Sequence, residues 1–171
     1  MSGDLDGDAI PDAVVVLLAS GDGDRARALV WLSGEKDGFR RVATNVGLAA
    51  CFGCLGMKGG DATPELEINK RVLTVTQWGG SRESYGAVHR FRLEKGAPRL
   101  IGADHSTTDT LTMEGKTRSE NYLTGVTVVS EEPAAEDEEG KPTGKKPKTT
   151  KTTGKKEPLR AFEDVTEYGE R

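Results

Sequence analysis

Asp4, Asp6, Asp8 and Asp12 occupy positions 1, 3, 5 and 9 of the segment Asp4-Leu5-Asp6-Gly7-Asp8-Ala9-Ile10-Pro11-Asp12, which runs directly into the apolar stretch Ala13-Val14-Val15-Val16-Leu17. Four carboxylates so spaced repel one another unless a cation lies among them. Calcium suits them, because it accepts about six to eight oxygens at roughly 2.3–2.6 Å in a flexible shell. Asp4, Asp6 and Asp8 are expected to offer side-chain oxygens, Ile10 its backbone carbonyl, and Asp12 a carboxylate that closes the shell. Magnesium demands a near-ideal octahedron and fits less well. The bland alternative is an acidic surface turn that binds nothing.

Cys51-Phe52-Gly53-Cys54 is the second chemical feature. A redox dithiol of this spacing usually opens a helix, which Gly53, Gly56, Gly59 and Gly60 disfavour. A zinc site needs two more ligands, and only His89 and His105 are on offer, neither at finger spacing. A disulfide between Cys51 and Cys54 is the leading expectation, with two free thiols next. His89 reads as a surface or rim residue of a strand. Asp104-His105-Ser106 reads as a turn, since neighbours in an extended chain point to opposite faces and cannot form a triad. A catalytic reading requires Glu65, Glu67, Asp104 and Asp109 to converge from different strands. Gly79-Gly80-Ser81 lacks the context of a hydrolase elbow. Trp31, Trp78, Tyr85 and Tyr122 line either a binding surface or the core and rim of the fold.

Short apolar runs bounded by Gly, Asp, Asn or Pro must position these residues, a strand signature. Strands are expected at Ala13 to Ala19, Ala28 to Ser33, Phe39 to Thr44, Glu65 to Asn69, Val72 to Trp78, Ala87 to Glu94, Arg99 to Asp104, Thr108 to Glu114 and Gly125 to Val129, with hairpin turns at Asn69-Lys70-Arg71 and Lys95-Gly96. The fold class is all-β: about nine short, mainly antiparallel strands in a sandwich, an open barrel or a propeller-like sheet. The composition agrees. The chain has 171 residues, 22 of them Gly, with a 35% hydrophobic share and 5% aromatics, too little bulk for a large helical core. A net charge of −4 argues against a dedicated nucleic-acid surface, and no apolar run is long enough for a membrane helix.

Three regions follow. Residues 1–130 form the β domain. Residues 131–157 carry an acidic block from Glu131 to Glu139 and then a basic one from Lys141 to Lys156, which reads as a disordered, self-neutralising linker. Residues 158–171 hold Pro158, Leu159, Ala161, Phe162 and Val165, a short apolar patch expected to dock on the domain.

Gly3 to Asp12 followed by a strand resembles the calcium loop of the FG-GAP/VCBS repeat family. The resemblance implies ligand roles for Asp4, Asp6, Asp8, Ile10 and Asp12, and calcium as cofactor. The family's usual Gly after the third ligand is Ala9 here, costing about 1 kcal/mol if φ is positive there. The strings Gly79-Gly80-Ser81-Arg82-Glu83, Arg90-Phe91-Arg92, Leu100-Ile101-Gly102-Ala103-Asp104 and Asn121-Tyr122-Leu123-Thr124-Gly125 resemble a group of exported bacterial β-rich proteins for which no activity is implied. Such a site works where calcium is abundant, so a periplasmic or extracellular address is expected, with a signal peptide and a preceding strand missing from this chain. The expected role is a non-catalytic binding or structural module for an unknown macromolecule, a protein or an envelope component. The alternative is an inhibitor or immunity-type protein that blocks a secreted enzyme through the Cys51 to Asp61 or Gly79 to Gly86 loop.

Overall fold

Alternation of buried and solvated side chains governs the longer elements. Across Val72 to Trp78, Leu73, Val75 and Gln77 are buried while Trp78 is exposed, the pattern of a strand packed on one face only. The computed structural model describes residues 1–18, 26–51, 54, 63–136 and 140–166. Among them are the strands β1 (Ser2–Gly3), β2 (Asp12–Leu18), β3 (Arg27–Glu35), β4 (Gly38–Asn45), β5 (Glu65–Asn69), β6 (Val72–Gly80), β7 (Glu83–Glu94), β8 (Ala97–Asp109), β9 (Gly115–Asn121), β10 (Val126–Glu132) and β11 (Lys148–Thr153), and one 3₁₀ turn, η1 (Phe162–Asp164).

The strands form two antiparallel sheets, one ordered β1-β2-β3-β4 and the other β11-β10-β9-β8-β7-β6-β5. Neither sheet closes on itself, so the fold is all-β and of sandwich type rather than a barrel. Val14, Leu29 and Trp31 from the smaller sheet meet Leu73, Val75, Phe91 and Leu100 from the larger in one buried cluster. The core lies under β6, β7 and β8. No residue of β9, β10 or β11 is among the buried hydrophobics, so that half of the larger sheet extends past its partner.

Both expected hairpin turns are present. Asn69 pairs with Val72 and Glu94 with Ala97 across two-residue loops, and Lys70, Arg71, Lys95 and Gly96 all have positive φ, as a turn matched to strand twist requires.

Three expectations change. Arg99 to Asp104 and Thr108 to Glu114 are not separate strands: β8 runs unbroken from Ala97 to Asp109, and Asp104-His105-Ser106 lies within it rather than in a turn. The physical reason is that Asp104, His105 and Ser106 are all half-buried there and are held by pairing with β7 on one side and β9 on the other, which keeps turn-forming residue types in the ladder. β9, Gly-Lys-Thr-Arg-Ser-Glu-Asn, was not expected because it contains no apolar residue; pairing with β8 and β10 on either side holds it. Within residues 131–157, expected to lack structure, β10 extends to Glu132 and Lys148–Thr153 pairs with it as β11. Four threonines in six residues supply β propensity there, and Lys148 stands opposite Glu131. Asp137, Glu138 and Glu139 of the acidic block, and Ala19 at the end of the first expected strand, lie outside the described residues.

The last segment docks as anticipated. The Leu100 amide donates to the Arg160 carbonyl at 3.0 Å, and the Asn45 side-chain amide donates to the carbonyls of Phe162 at 2.5 Å and Val165 at 2.7 Å. Phe162 is fully buried, edge-on to Trp31 of the smaller sheet (centroids 6.0 Å apart) and to Phe91 of the larger (5.0 Å). The sandwich is therefore filled by a residue nearly sixty positions beyond the last buried apolar strand residue, Ala103. Residues 167–171 of that segment lie outside the described residues.

Candidate metal centre

The aspartate loop spans the gap between β1 and β2, which pair through Ser2 with Ala13 and Gly3 with Asp12. Gly3 packs on β5: a Cβ there would lie 2.8 Å from Ile68 Cγ2. The loop thus starts where the two sheets meet, and Leu5, almost fully buried, pins it to the core. Each aspartate then bends the chain. Asp4 Oδ1 accepts from the Gly7 amide at 2.5 Å, Asp6 Oδ1 from Asp8 at 3.1 Å, and Asp8 Oδ1 from Ile10 at 2.7 Å. These short side-chain turns are the usual habit of Asp in loops.

The consequence is convergence: Asp4, Asp6 and Asp8 each bring a carboxylate oxygen within 4.8 Å of the others. Two oxygens bound to one calcium at about 2.4 Å can stand at most about 4.8 Å apart, so this donor set fits that ion in spacing and in its all-oxygen chemistry. Asp6 and Asp8 are exposed and Asp4 half-buried, which leaves room for water to complete a shell.

Asp12 is placed differently from the other three. It is 1% exposed, and its oxygens receive backbone amides: Oδ2 from Leu5 at 2.6 Å and Asp6 at 3.2 Å, Oδ1 from Gly34 at 2.9 Å. It lies outside the cluster of three and ties the loop to β3. Gly34 is required at that contact, because a Cβ would fall 2.4 Å from the Pro11 carbonyl oxygen. Ile10, whose carbonyl the sequence offers as a ligand, donates its amide to Asp8 Oδ1 at 2.7 Å. Ala9 adopts φ 67°, the left-handed conformation that glycine takes up freely and that costs alanine about 1 kcal/mol.

One residue near the loop was not foreseen. A Cβ on Gly7 would lie 2.3 Å from Arg71 Cζ, so the guanidinium at the β5–β6 turn rests directly against the loop backbone. It brings positive charge beside the aspartates. The signal in the sequence is faint, since Arg71 reads only as a turn residue.

Cys51 and Cys54 are joined in a disulfide, with Cα atoms 5.3 Å apart, and the Cys54 amide donates to the Cys51 carbonyl at 3.1 Å. The rest of the Cys51 to Asp61 loop lies outside the described residues.

The histidines are not where the sequence reading put them. His89 is no rim residue: it is 1% exposed on the inner face of β7, with His105 edge-on at 5.4 Å and Phe91 stacked at 6.4 Å. Its Nδ1 is buried with no hydrogen-bond partner among the described residues. Burial, and then the neighbouring His105 and Arg160, lower its pKa to about 4, so the ring is neutral. His105 is half-buried and also lowered, chiefly by burial, with Glu120 and Asp104 opposing and Arg118 and Arg160 assisting. Glu120 accepts from Arg118 at 2.7 Å and from the Tyr122 hydroxyl at 3.3 Å, a satisfied network at the edge of the core.

Glu65, Glu67, Asp104 and Asp109 do not gather. The register Glu65–Thr76–Val88–Asp104 puts three strand spacings, about 14 Å, between the first and last. Asp109, five residues beyond Asp104, points to the opposite face. Asp104 instead accepts from Arg90 at 2.6 Å. Of the aromatics, Trp31 is core and Trp78 is 52% exposed. A cleft of about 1280 Å³ opens on the uncovered face, lined by Tyr85, Thr107, Lys116, Glu131 and Lys148 among others; none of the aspartates of the loop lines it.

Fold and loop together define a class: an antiparallel β-sandwich with an aspartate-rich loop joining its first two strands. No protein-family model, curated protein or solved structure matches the chain.

Proposed function

We propose that the chain is a secreted or periplasmic calcium-binding β module that engages another macromolecule or braces an envelope assembly without catalysing a reaction. The observation that carries this reading is the convergence of Asp4, Asp6 and Asp8. A bound cation neutralises three carboxylates and sets the path by which the chain enters β2. Three side chains converge among the described residues, which puts the affinity in the range of extracellular modules, about 10⁻⁴–10⁻³ M. The Cys51–Cys54 disulfide supports an oxidising compartment.

Thermal unfolding in calcium and in EDTA tests the site. At ten times the dissociation constant, linkage adds about 1.4 kcal/mol, which raises the midpoint by about 3–5 °C. The double variant Asp6→Asn/Asp8→Asn should lose that increment. Identical midpoints in calcium and EDTA for the parent chain remove the site.

A second reading, blockade of a secreted enzyme, draws support from the β6–β7 hairpin, where Ser81, Arg82 and Glu83 are exposed and Trp78 stands exposed beside them. Capture from envelope extracts separates the two: an enzyme whose activity the chain inhibits supports this reading, and Trp78→Ala should then release it.

A further inference from the structure

We infer that the outer edge of β11 is a docking edge for an acidic, extended segment of a partner protein, which adds to the larger sheet as a further strand. β11 is the last strand in the sheet order, paired with β10 on one side and with no strand on the other among the described residues. In an antiparallel ladder alternate residues of such a strand turn their N–H and C=O groups outward, a template for main-chain pairing. All six residues from Lys148 to Thr153 are exposed, so nothing described covers the template.

The charge on this edge selects the occupant. Lys145, Lys146, Lys148, Lys151, Lys155 and Lys156 lie within or beside the strand, and none of them forms an ion pair among the described residues. Glu131, opposite Lys148, pairs instead with Lys116 at 3.3 Å. Lysines on an open edge deter a second copy of the same strand, because antiparallel self-pairing sets like charges against one another. The same charges favour a strand that carries glutamate or aspartate, so one device rejects self and recruits the complement. A nucleic acid is a poorer match, since the segment offers hydrogen-bonding backbone but no aromatic ring for base stacking. With no apolar residue in the strand, attraction comes from main-chain bonds and charge and falls with salt.

This inference deepens the binding-module reading and rests on it for the class of activity. The aspartate loop contacts the turn after β5, at the opposite end of the sheet order. Its failure is therefore separable from failure of the calcium site.

The probe is a fluorescein-labelled peptide, Glu-Thr-Glu-Val-Glu-Thr-Glu-Val, titrated with the full chain by fluorescence anisotropy in 50 mM sodium chloride. Saturable binding is expected, weakening at 300 mM salt and unchanged by EDTA. The same peptide N-methylated at alternate residues should bind at least tenfold more weakly, and Lys148→Gln/Lys151→Gln should weaken the unmodified peptide at least fivefold while leaving the unfolding midpoint in place. No saturable binding to the parent chain, equal binding of the N-methylated peptide, loss of binding in EDTA, or tighter binding of a single-stranded oligonucleotide than of the peptide would each overturn the assignment.

Discussion

Acid should destabilise this protein through His89 before it does so through the carboxylates. His89 is buried and neutral, with a folded-state pKa of about 4 against an ordinary 6.5. Below pH 6.5 the unfolded chain takes up a proton that the folded chain refuses, so stability falls as pH falls. The decline levels off once the folded state protonates, near pH 4. For one such group the loss amounts to about 2.5 kcal/mol by pH 4.5 and approaches about 3.4 kcal/mol at lower pH. His105 is lowered as well and contributes in the same direction. Asp104, Asp109 and Glu120 are also held below their usual values, but their contribution is lost only as pH drops into the carboxylate range. Measurements between pH 7.5 and 4.5 therefore report mainly on the imidazoles. Urea unfolding across that range should show the parent chain losing at least about 2.5 kcal/mol, or about 5–10 °C in midpoint for a chain of this size. His89→Leu replaces an unpartnered polar ring with an apolar group against Phe91. It should keep its stability at pH 7.5 and lose about 2.5 kcal/mol less than the parent by pH 4.5. Equal losses in the two proteins would refute the reasoning, since His89 would then titrate alike in folded and unfolded chains.

Asp12→Ala should cost about 3–5 kcal/mol, because three amides lose a buried acceptor; the loss should be the same in calcium and EDTA by urea titration, whereas a closing ligand would make it larger in calcium. Phe162→Ala opens a cavity between Trp31 and Phe91 and should cost about 3–5 kcal/mol in the same assay. Arg71→Gln removes the positive charge lying on the loop and should tighten calcium binding several-fold by calorimetry, with the disulfide and the unfolding cooperativity unaffected.

Much of the fold was legible where a strand pairs apolar alternation with a clear turn. Glu65 to Asn69 and the start of the next strand at Val72 were readable to the residue, because Ile68, Leu73 and Val75 alternate on either side of Lys70-Arg71. β9 and β11 were not readable. They bury nothing, and their stability is a property of the ladder they join. The long β8 is not legible as one strand, because the turn-forming residue types at Asp104-His105-Ser106 are held in it by ladders on both sides.

The loop shows the same division. The spacing of Asp4, Asp6 and Asp8 by itself determined that they can meet, since each carboxylate caps an amide two or three residues ahead and bends the chain toward the next. The sequence also determined an all-β chain and an apolar C-terminal segment that docks. The role of Asp12 was decided only by tertiary structure, because the amide that claims one of its oxygens belongs to Gly34 on the neighbouring strand. The environment of His89 was decided in the same way: its strand alternates identically whether its inner face meets solvent or packed neighbours, and it is the burial beside Phe91, His105 and Arg160 that makes the ring dry and neutral.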